Sequence, residues 1–314
     1  MLQFLVRRVT IGLVTLFMIT VFVFGLINLA PGGPAAIMSM TTTASQRAAL
    51  THQYGLDQPV PLRYLAWLGS AMHGNLGQSY DFDQPVRTVI GDRLPNTAIL
   101  AGTALLLSIL VGVPLGIWAA LTRGSWVDTV ISATTTLGLS TPDFWLGTVA
   151  IIIFAVLLHW LPASGMSSSG GGGGGGLLPH LILPACVLSI AFLPNLVRFT
   201  RSSMIEVLTR DYVRTARAKG LPPRDVLARH ALRNAFVPVL AMIGLLAATL
   251  LGGSAIVESV FAWPGIGRLT VQAATNRDYP LIMGLTLLVS AIVILINILI
   301  DIVYALVDPR IRYG

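Results

Sequence analysis

Charged residues are scarce in this sequence. Asp, Glu, Lys and Arg make up 11% of 314 residues, while hydrophobic residues make up 54% and the mean hydropathy is +0.79. An ordinary soluble domain carries about 25% charged residues. The shortage therefore excludes an ordinary soluble protein and indicates an integral membrane protein. In that setting the net charge of +7 reflects Arg-rich loops beside the membrane, and we expect no nucleic-acid partner.

Cysteine, lysine and histidine are also rare, and each shortage excludes a kind of site. The single cysteine, Cys186, forms no intrachain disulfide and no cysteine-based metal cluster. The one lysine, Lys219, lacks the glycine-rich phosphate loop that an ATPase needs. The five histidines show no metal-ligand spacing, and no G-x-S-x-G nucleophile motif is present. We expect no bound metal and no enzyme activity in this chain.

Six apolar segments are long enough to cross a membrane, at roughly 20 residues a span. They lie at about 9–30, 97–121, 131–158, 178–200, 236–257 and 281–306. The fourth contains Pro179, Pro184 and Pro194, which kink or break a helix unless neighbours satisfy the freed carbonyls. The pattern predicts an all-α integral membrane protein with six transmembrane helices.

The distribution of basic residues predicts the orientation. Fourteen of the 20 Lys and Arg residues fall on one side of the predicted bundle, nine of them between Arg198 and Arg233. The positive-inside rule places that side in the cytoplasm. Both termini are then cytoplasmic, and the protein is predicted to be a multi-pass protein of the cell (inner or plasma) membrane.

The outer loops include one long connection, at 31–95, and a run of seven glycines at 170–176. The long loop divides the chain into residues 1–95, with the first helix, and a five-helix core at 96–314. Within it, apolar residues at near-helical spacing predict an amphipathic helix around Tyr64 and Trp67. That helix either rests on the membrane surface with both aromatic residues at the interface, or docks an outside partner. Polyglycine behaves as a flexible coil and supports no function.

Residues 212–240 read YVRTARAKGLPPRDVLARHALRNAFVPVL and carry six cations against one acid, Asp225. We predict a two-turn helix that is capped by Asp211 or Thr209, begins near Tyr212 and ends at Gly220. Two turns are marginal in water alone, so packing must support them.

A second helix is predicted from Arg224 to Ala235, and Pro238 then marks the start of the fifth span. Its apolar stripe comprises Val226, Leu227, His230 and Ala231. One interpretation is a topology anchor, a positively charged loop that stays on the cytoplasmic side and touches anionic lipid. It explains the charge but not the helical pattern. A short helix, a Gly-Pro-Pro break and a second helix are more typical of a docking element.

This segment closely resembles the cytoplasmic coupling loop of ABC importer permeases, specifically the first permease type of the dipeptide/oligopeptide/nickel family. Gly220 matches the central glycine of that loop, and Thr215, Ala216 and Arg217 stand where the family has Glu-Ala-Ala. Further motifs agree in order along nearly the whole chain. They are LAPGGP (29–34), YGLDQPVPLRY (54–64), HGNLGQSY (73–80), STPDFWLG (140–147), LHWLPASG (158–165), ESVFAWPGIGRL (258–269) and DPRIRYG (308–314). The glycine run departs from the family pattern.

The resemblance implies the type I ABC importer permease fold, with a coupling loop at about 206–238. The short helix would insert into a groove on an ATPase subunit, with Ala216 and Gly220 permitting close approach. The second helix would brace the first. The residues that the resemblance places in this loop are Tyr212, Arg214, Thr215, Ala216, Arg217, Lys219, Gly220, His230, Arg233, Asn234 and Pro238. Among them, Arg214, Arg217 and Lys219 would contact the ATPase, His230 and Arg233 would brace, and Asn234 and Pro238 would join span five.

The resemblance also implies partners in a lipid membrane. These are a second homologous permease, two ATPase subunits or one two-domain ATPase, and an extracytoplasmic substrate-binding protein. ATP and magnesium would be bound by the ATPase subunits, and this chain is expected to bind no cofactor. Short peptides are the expected cargo, with nickel complexes and glutathione as alternatives.

Four polar residues near the spans are candidates for the translocation pathway, because ionisable groups in a membrane tend to be functional. Asp143 is either a helix N-terminal charge or a functional group, and Glu258 either lines the outer mouth or is solvated. Asn297 and Asp301, one helical turn apart, suggest helix packing or gating. An ion-coupled secondary transporter is the alternative class. The sequence shows no inverted repeat and few acids near the middle of a span, so it gives that class little support.

Overall fold

The computed structural model describes residues 2–29, 58–166 and 176–307. Most of the LAPGGP motif, the start of the YGLDQPVPLRY motif, much of the predicted outer loop, glycines 170–175 and the DPRIRYG motif lie outside the described residues.

The described chain is a succession of helices. They are α1 Leu2–Leu29, α2 Val60–Met72, α3 Val86–Leu121, α4 Trp126–Ser140, α5 Asp143–Ala150, α6 Leu177–Leu208, α7 Asp211–Ala218, α8 Pro223–Asp225, α9 Arg233–Val260, α10 Ile266–Thr275 and α11 Tyr279–Val307. A π-helical segment, Ile151–Leu157, continues α5, and a second one, Val226–Leu232, joins α8 to α9.

Five stretches of helix are long and apolar enough to cross a membrane. They are Leu5–Leu29, Val86–Leu121, Leu177–Leu208, Pro223–Leu250 and Tyr279–Val303. A sixth crossing arises if α4 and the segment Asp143–Leu157 are taken together. The predicted all-α membrane fold is therefore confirmed.

The predicted third span, at 131–158, is wrong as a single helix. The chain bends by 99° between α4 and α5. Thr141 has an extended conformation, with ψ 123°, because the ring of Pro142 disfavours a helical conformation in the residue before it. The span is a broken pair of helices, and Asp143 lies at the break.

Helix α6 runs unbroken from Leu177 to Leu208, with Pro184 and Pro194 inside it. Both prolines are buried in protein, where neighbouring groups compensate for lost helix hydrogen bonds. The Ser108 hydroxyl of α3, which donates to the Ala104 carbonyl of its own helix at 2.9 Å, also lies 3.2 Å from the Ser189 carbonyl of α6, in the turn before Pro194. Tertiary packing thus preserves a helix that its prolines weaken.

The chain forms two compact units, one comprising residues 1–96 and 268–295, the other residues 97–267 and 296–314. The functional division at residues 95 and 96 stays a prediction.

In the first unit, α2 packs against α1 through Tyr64. Its hydroxyl lies 2.9 Å from the Thr20 hydroxyl, and its ring meets Phe17 and Phe24 edge-on. The Arg63 guanidinium donates to the Asn28 amide oxygen at 2.9 Å. The ring of Tyr64 is therefore buried against α1 and not exposed on a surface, while the position of α2 at the membrane interface stays a prediction.

In the second unit, α4 and α6 are clamped by an ion pair. The Arg201 Nε and Nη2 atoms donate to the two Asp128 carboxylate oxygens at 2.6 and 2.8 Å. The Gly124 N–H donates to the same carboxylate at 3.0 Å. A two-pronged guanidinium–carboxylate contact fixes orientation as well as distance, so it sets the register of α4 on α6.

Helix α3 approaches α6 closely at Gly116. A Cβ atom there would lie 2.7 Å from both the Val197 carbonyl oxygen and the Thr200 Cβ. Gly102, on the same helix, has nothing within 4 Å of such a Cβ.

We predict that Gly116→Ala lowers the thermal stability of the purified protein in detergent, whereas Gly102→Ala does not. Both changes improve helix propensity equally, but overpacking at Gly116 costs about 1–3 kcal/mol. Melting curves of the two variants and the wild type provide the measurement. Equal melting temperatures for the two variants would contradict the close approach of α3 to α6 at Gly116.

Candidate functional site

The cationic segment folds into a hairpin of two helical arms, which we call the basic hairpin (residues 211–232). Its first arm, α7, spans Asp211–Ala218, as predicted. The predicted cap is wrong: the N-cap is Arg210, without a side-chain bond, and Thr209 ends α6 instead. Asp211 is the first helical residue, where a negative charge interacts favourably with the helix dipole.

The first arm is held by an apolar contact, which answers the need for support in so short a helix. Val213 is fully buried and Ala216 is nearly so. Both pack with Val226 of the second arm and with Val207 at the end of α6. One face of α7 is therefore fixed to the protein and the opposite face stays exposed.

The first arm ends in a Schellman motif around Gly220. The Gly220 N–H donates to the Arg217 carbonyl at 3.0 Å, and the Leu221 N–H to the Ala216 carbonyl at 3.4 Å. Gly220 has φ +77°, a conformation that glycine adopts without the Cβ penalty. No atom lies within 4 Å of a Cβ built there, so backbone conformation rather than crowding within the chain favours glycine.

The second arm is continuous with the fifth span. A helix starts at Pro223, passes through the π-helical segment and extends along α9. Pro238, the predicted start of the fifth span, lies inside α9, so the helix of the second arm runs into the span without a break. The buried Ser203 hydroxyl of α6 donates to the Ala235 carbonyl at 3.0 Å, one residue after the carbonyl that Pro238 leaves without its helical N–H partner. The hairpin is thereby attached to a membrane helix without a hinge loop.

The exposed face of the basic hairpin is cationic. Arg214, Arg217 and Lys219 are all exposed. Arg214 lies 3.8 Å from the Asp211 carboxylate, a pair too exposed to stabilise much. Across the described part of the chain, no acid forms an ion pair with Arg217 or Lys219. This surface would attract an acidic partner.

A cavity of about 550 Å³ opens beside the first arm. Its lining includes Arg217, Leu221, Pro223, Arg224 and Leu227. Apolar walls with two guanidinium groups at the edge form a concave surface that could accept a partner's side chain.

The structure shows where the remaining residues predicted for this loop lie. Ala216 faces the protein and not a partner. The packing between the arms comes from Val226, while Arg233 is exposed and His230 half-buried. Asn234 is exposed, and its amide donates to the His230 carbonyl at 2.7 Å. Tyr212 and Thr215 are exposed beside the arginines.

Glu258 is fully buried, so it neither lines an open mouth nor meets solvent in this structure. Its Oε1 atom accepts hydrogen bonds from the hydroxyls of Thr97, at 2.8 Å, and Ser254, at 3.1 Å. The Ile266 N–H donates to the Thr97 hydroxyl at 2.7 Å. A Cβ on Gly265 would clash with the Glu258 carboxyl group. The carboxylate ties α3, α9 and the start of α10 together.

The other pathway candidates lie on different helices. Asp143 is the first residue of α5 and is half-buried. On α11, Asn297 is exposed and Asp301 half-buried. Ile300 packs against Gly244, so Asp301 lies about 20 Å along α9 from Glu258, at 1.5 Å a residue. The four residues do not converge on one site. Within the described residues, no group of three His, Cys, Asp or Glu side chains could hold a metal ion.

Sequence reasoning missed the residues that hold the hairpin and the C-terminal end of α9. Val213 and Ala216, three residues apart on α7, carried the signal of a buried face. Thr97 gave no local signal, because its partners Glu258 and Ile266 are more than 160 residues away in the sequence.

Two family models match consecutive parts of the chain. Residues 112–313 match the binding-protein-dependent transport system inner membrane component. Residues 1–101 match the N-terminal model of the binding-protein-dependent transport system membrane component.

Similar proteins are found among curated sequences and solved structures. A putative peptide permease protein of Brucella suis is 43% identical, over 99% of each chain. The oligopeptide transport system permease protein AppB of Bacillus subtilis is 40% identical over the whole of both chains. An inward-facing structure of the MetNI methionine ABC transporter has a TM-score of 0.58 at 20% identity, covering 70% of this chain and 96% of the other. That structural likeness concerns the fold alone.

We predict that Glu258→Ala destabilises the protein by about 2–4 kcal/mol, because it leaves two buried hydroxyls without their acceptor and creates a cavity. Glu258→Gln keeps the shape of the side chain and one acceptor oxygen, so it should lower the stability less than Glu258→Ala. Melting curves in detergent provide the measurement, with Glu206→Ala as an exposed control. A wild-type midpoint for Glu258→Ala would refute the structural role.

Proposed function

Because this chain belongs to the family of binding-protein-dependent transport system inner membrane components, we propose that its basic hairpin is the docking element for a cytoplasmic ATPase. The observation that carries this proposal is the hairpin's construction. One face of α7 is buried against the protein, the opposite face is cationic, and the second arm continues into a membrane helix.

The chain is a multi-pass membrane protein and the permease subunit of an ABC importer. Such a permease works with ATPase and substrate-binding partners and does not itself hydrolyse ATP. Transport requires that ATP-driven motion in the partner alters the membrane helices, which is a coupling between two separate sites.

The hairpin is built to transmit such motion. Force applied to α7 reaches the second arm through Val213, Ala216 and Val226, which pack directly. From the second arm it passes along one uninterrupted helix, Pro223–Leu250. Closely packed side chains do not deform continuously, so movement of α7 would carry the membrane helix with it.

The wider assembly is part of the same proposal. A second homologous permease would complete the pathway, and two ATPase subunits, or one two-domain ATPase, would bind ATP and Mg²⁺. The basic hairpin and both termini would then lie in the cytoplasm, in agreement with the positive-inside rule.

Short peptides are the proposed cargo. The relatives from Brucella suis and Bacillus subtilis are named as peptide and oligopeptide permeases, at 43% and 40% identity. No ligand set for nickel occurs among the described residues, although a nickel complex or glutathione would be selected mainly by the binding protein.

Copurification tests the assembly: an ATPase pair and a second permease should remain bound to this chain in mild detergent. A homo-oligomer without an ATPase would overturn the proposal and favour ion-coupled transport.

We predict that Gly220→Asp abolishes ATP-driven uptake while the protein still folds. The substituted carboxylate would stand beside cationic groups that a partner's acids contact, and no atom of the chain obstructs it. Gly220→Asn is the matched control, because Asn has the same size and tolerates positive φ without the charge. Uptake by cells and copurification of the ATPase provide the measurements. Equal uptake by the Asp variant and the wild type would contradict docking at this turn.

A further inference from the structure

Helices α4 and α6 carry polar residues that neither the clamp between them nor the basic hairpin uses. On α4, Thr129, Thr136 and Ser140 are exposed. On α6, Arg198 and Ser202 are exposed and Asn195 is half-buried. In an otherwise apolar membrane protein, these positions require an explanation.

The contact between α4 and α6 shows how these residues are arranged. Asp128 pairs with Arg201, and Gly138 meets Pro194. Residue numbers rise along α4 as they fall along α6, so the two helices run antiparallel.

Five of the six polar residues follow, by one position, a residue that is buried or takes part in the ion pair, and Ser140 lies one turn after Thr136, on the same side of α4. On α4, Asp128 and Thr135 are buried in the contact and are followed by Thr129 and Thr136. On α6, Pro194, Val197 and Arg201 are followed by Asn195, Arg198 and Ser202 in the same way. One residue is a rotation of about 100° around a helix. In each helix the polar residue therefore lies about 100° around the axis from the contact, in the direction of increasing residue number. Because the helices are antiparallel, this step places both sets of polar residues on the same side of the pair.

The two helices contribute different hydrogen-bonding chemistry to this shared face. On α4 the Thr129, Thr136 and Ser140 hydroxyls donate to carbonyls of their own helix at 2.8–3.1 Å. Their remaining lone pairs are acceptors directed away from the backbone. On α6, Arg198 contributes guanidinium donors, and no acid among the described residues forms an ion pair with it. A peptide, with amide donors and a terminal carboxylate, matches both.

A face of this kind is unfavourable against lipid. Arg198 lies near the end of the predicted fourth span, at 178–200, within the apolar helix Leu177–Leu208. A charged side chain in a membrane helix normally faces the bundle interior or water.

We propose that this polar face, formed by Thr129, Thr136, Ser140, Asn195, Arg198 and Ser202, lines the water-filled route of the cargo, with Arg198 contacting the cargo's carboxylate. The inference rests on the proposed function and adds the residues along which the cargo moves. It replaces Glu258, which is buried.

Thiol labelling tests the water-filled route without any cargo. The complex, reconstituted in lipid vesicles in a Cys186→Ser background, carries either Thr136→Cys or Thr134→Cys. Thr134 is also exposed, and its hydroxyl donates to its own helix in the same way, but two residues place it on the opposite side of α4. A charged, water-soluble thiol reagent is added to both faces of the membrane.

We expect Thr136→Cys to react roughly tenfold faster than Thr134→Cys, since thiols in apolar surroundings ionise poorly. Slow labelling at both positions would mean that another protein segment covers the face, and it would overturn the proposal. Equally fast labelling at both would overturn it too.

The role of Arg198 is tested by uptake of trialanine and its C-terminal amide in the same vesicles. We expect Arg198→Gln to lower uptake of the free acid roughly tenfold, as loss of a charged hydrogen bond predicts. Uptake of the amide should change much less. Arg123→Gln, in the exposed loop before α4, is the control.

An equal loss for the acid and the amide would overturn the carboxylate contact. If the wild type takes up neither probe although the labelling contrast holds, the proposed peptide cargo is wrong and the water-filled route stands.

Discussion

The structure depends on the rule that backbone polar groups inside a membrane must find their partners within the protein. Helices satisfy the rule by themselves, which is why the described chain is built from them. The informative places are those where helices are interrupted. At Pro142 the chain bends by 99°, whereas at Pro184, Pro194 and Pro238 it continues, because these prolines lie among neighbouring helices. Hydrogen bonds from Ser108 of α3 to Ser189 of α6, and from Ser203 of α6 to Ala235 of α9, join the continuing helices to their neighbours close to Pro194 and Pro238.

Much of the fold could be predicted from the sequence because each helix that crosses a membrane needs a long run of apolar residues. The short helix of the basic hairpin was also predictable, since Gly220 and the following prolines limit it from one side. What could not be predicted depends on distant partners. Glu258 looked like a pathway residue because an acid near a membrane span is unusual. Only its contacts with Thr97 and Ser254 show that it is structural.

The same limit explains the errors in the candidate site. Local charge identified the exposed face of α7 correctly. The inward orientation of Ala216 and the continuity of the second arm with α9 depend on packing against α6 and on the π-helical segment. Thr129 and Thr136 of α4 belong to no motif. They become a surface only when the clamp between Asp128 and Arg201 fixes which side of the helix remains uncovered.

The arrangement around Glu258 has an evolutionary consequence. Its carboxyl group occupies the space that a side chain at position 265 would need, and its oxygen is the acceptor for residues 97 and 254. Selection at these positions is therefore not independent. In a lineage that shortens the side chain at position 258, position 265 is released from being glycine, while the hydroxyls at 97 and 254 lose one of the contacts that favour them. Substitutions at the four positions should accumulate together.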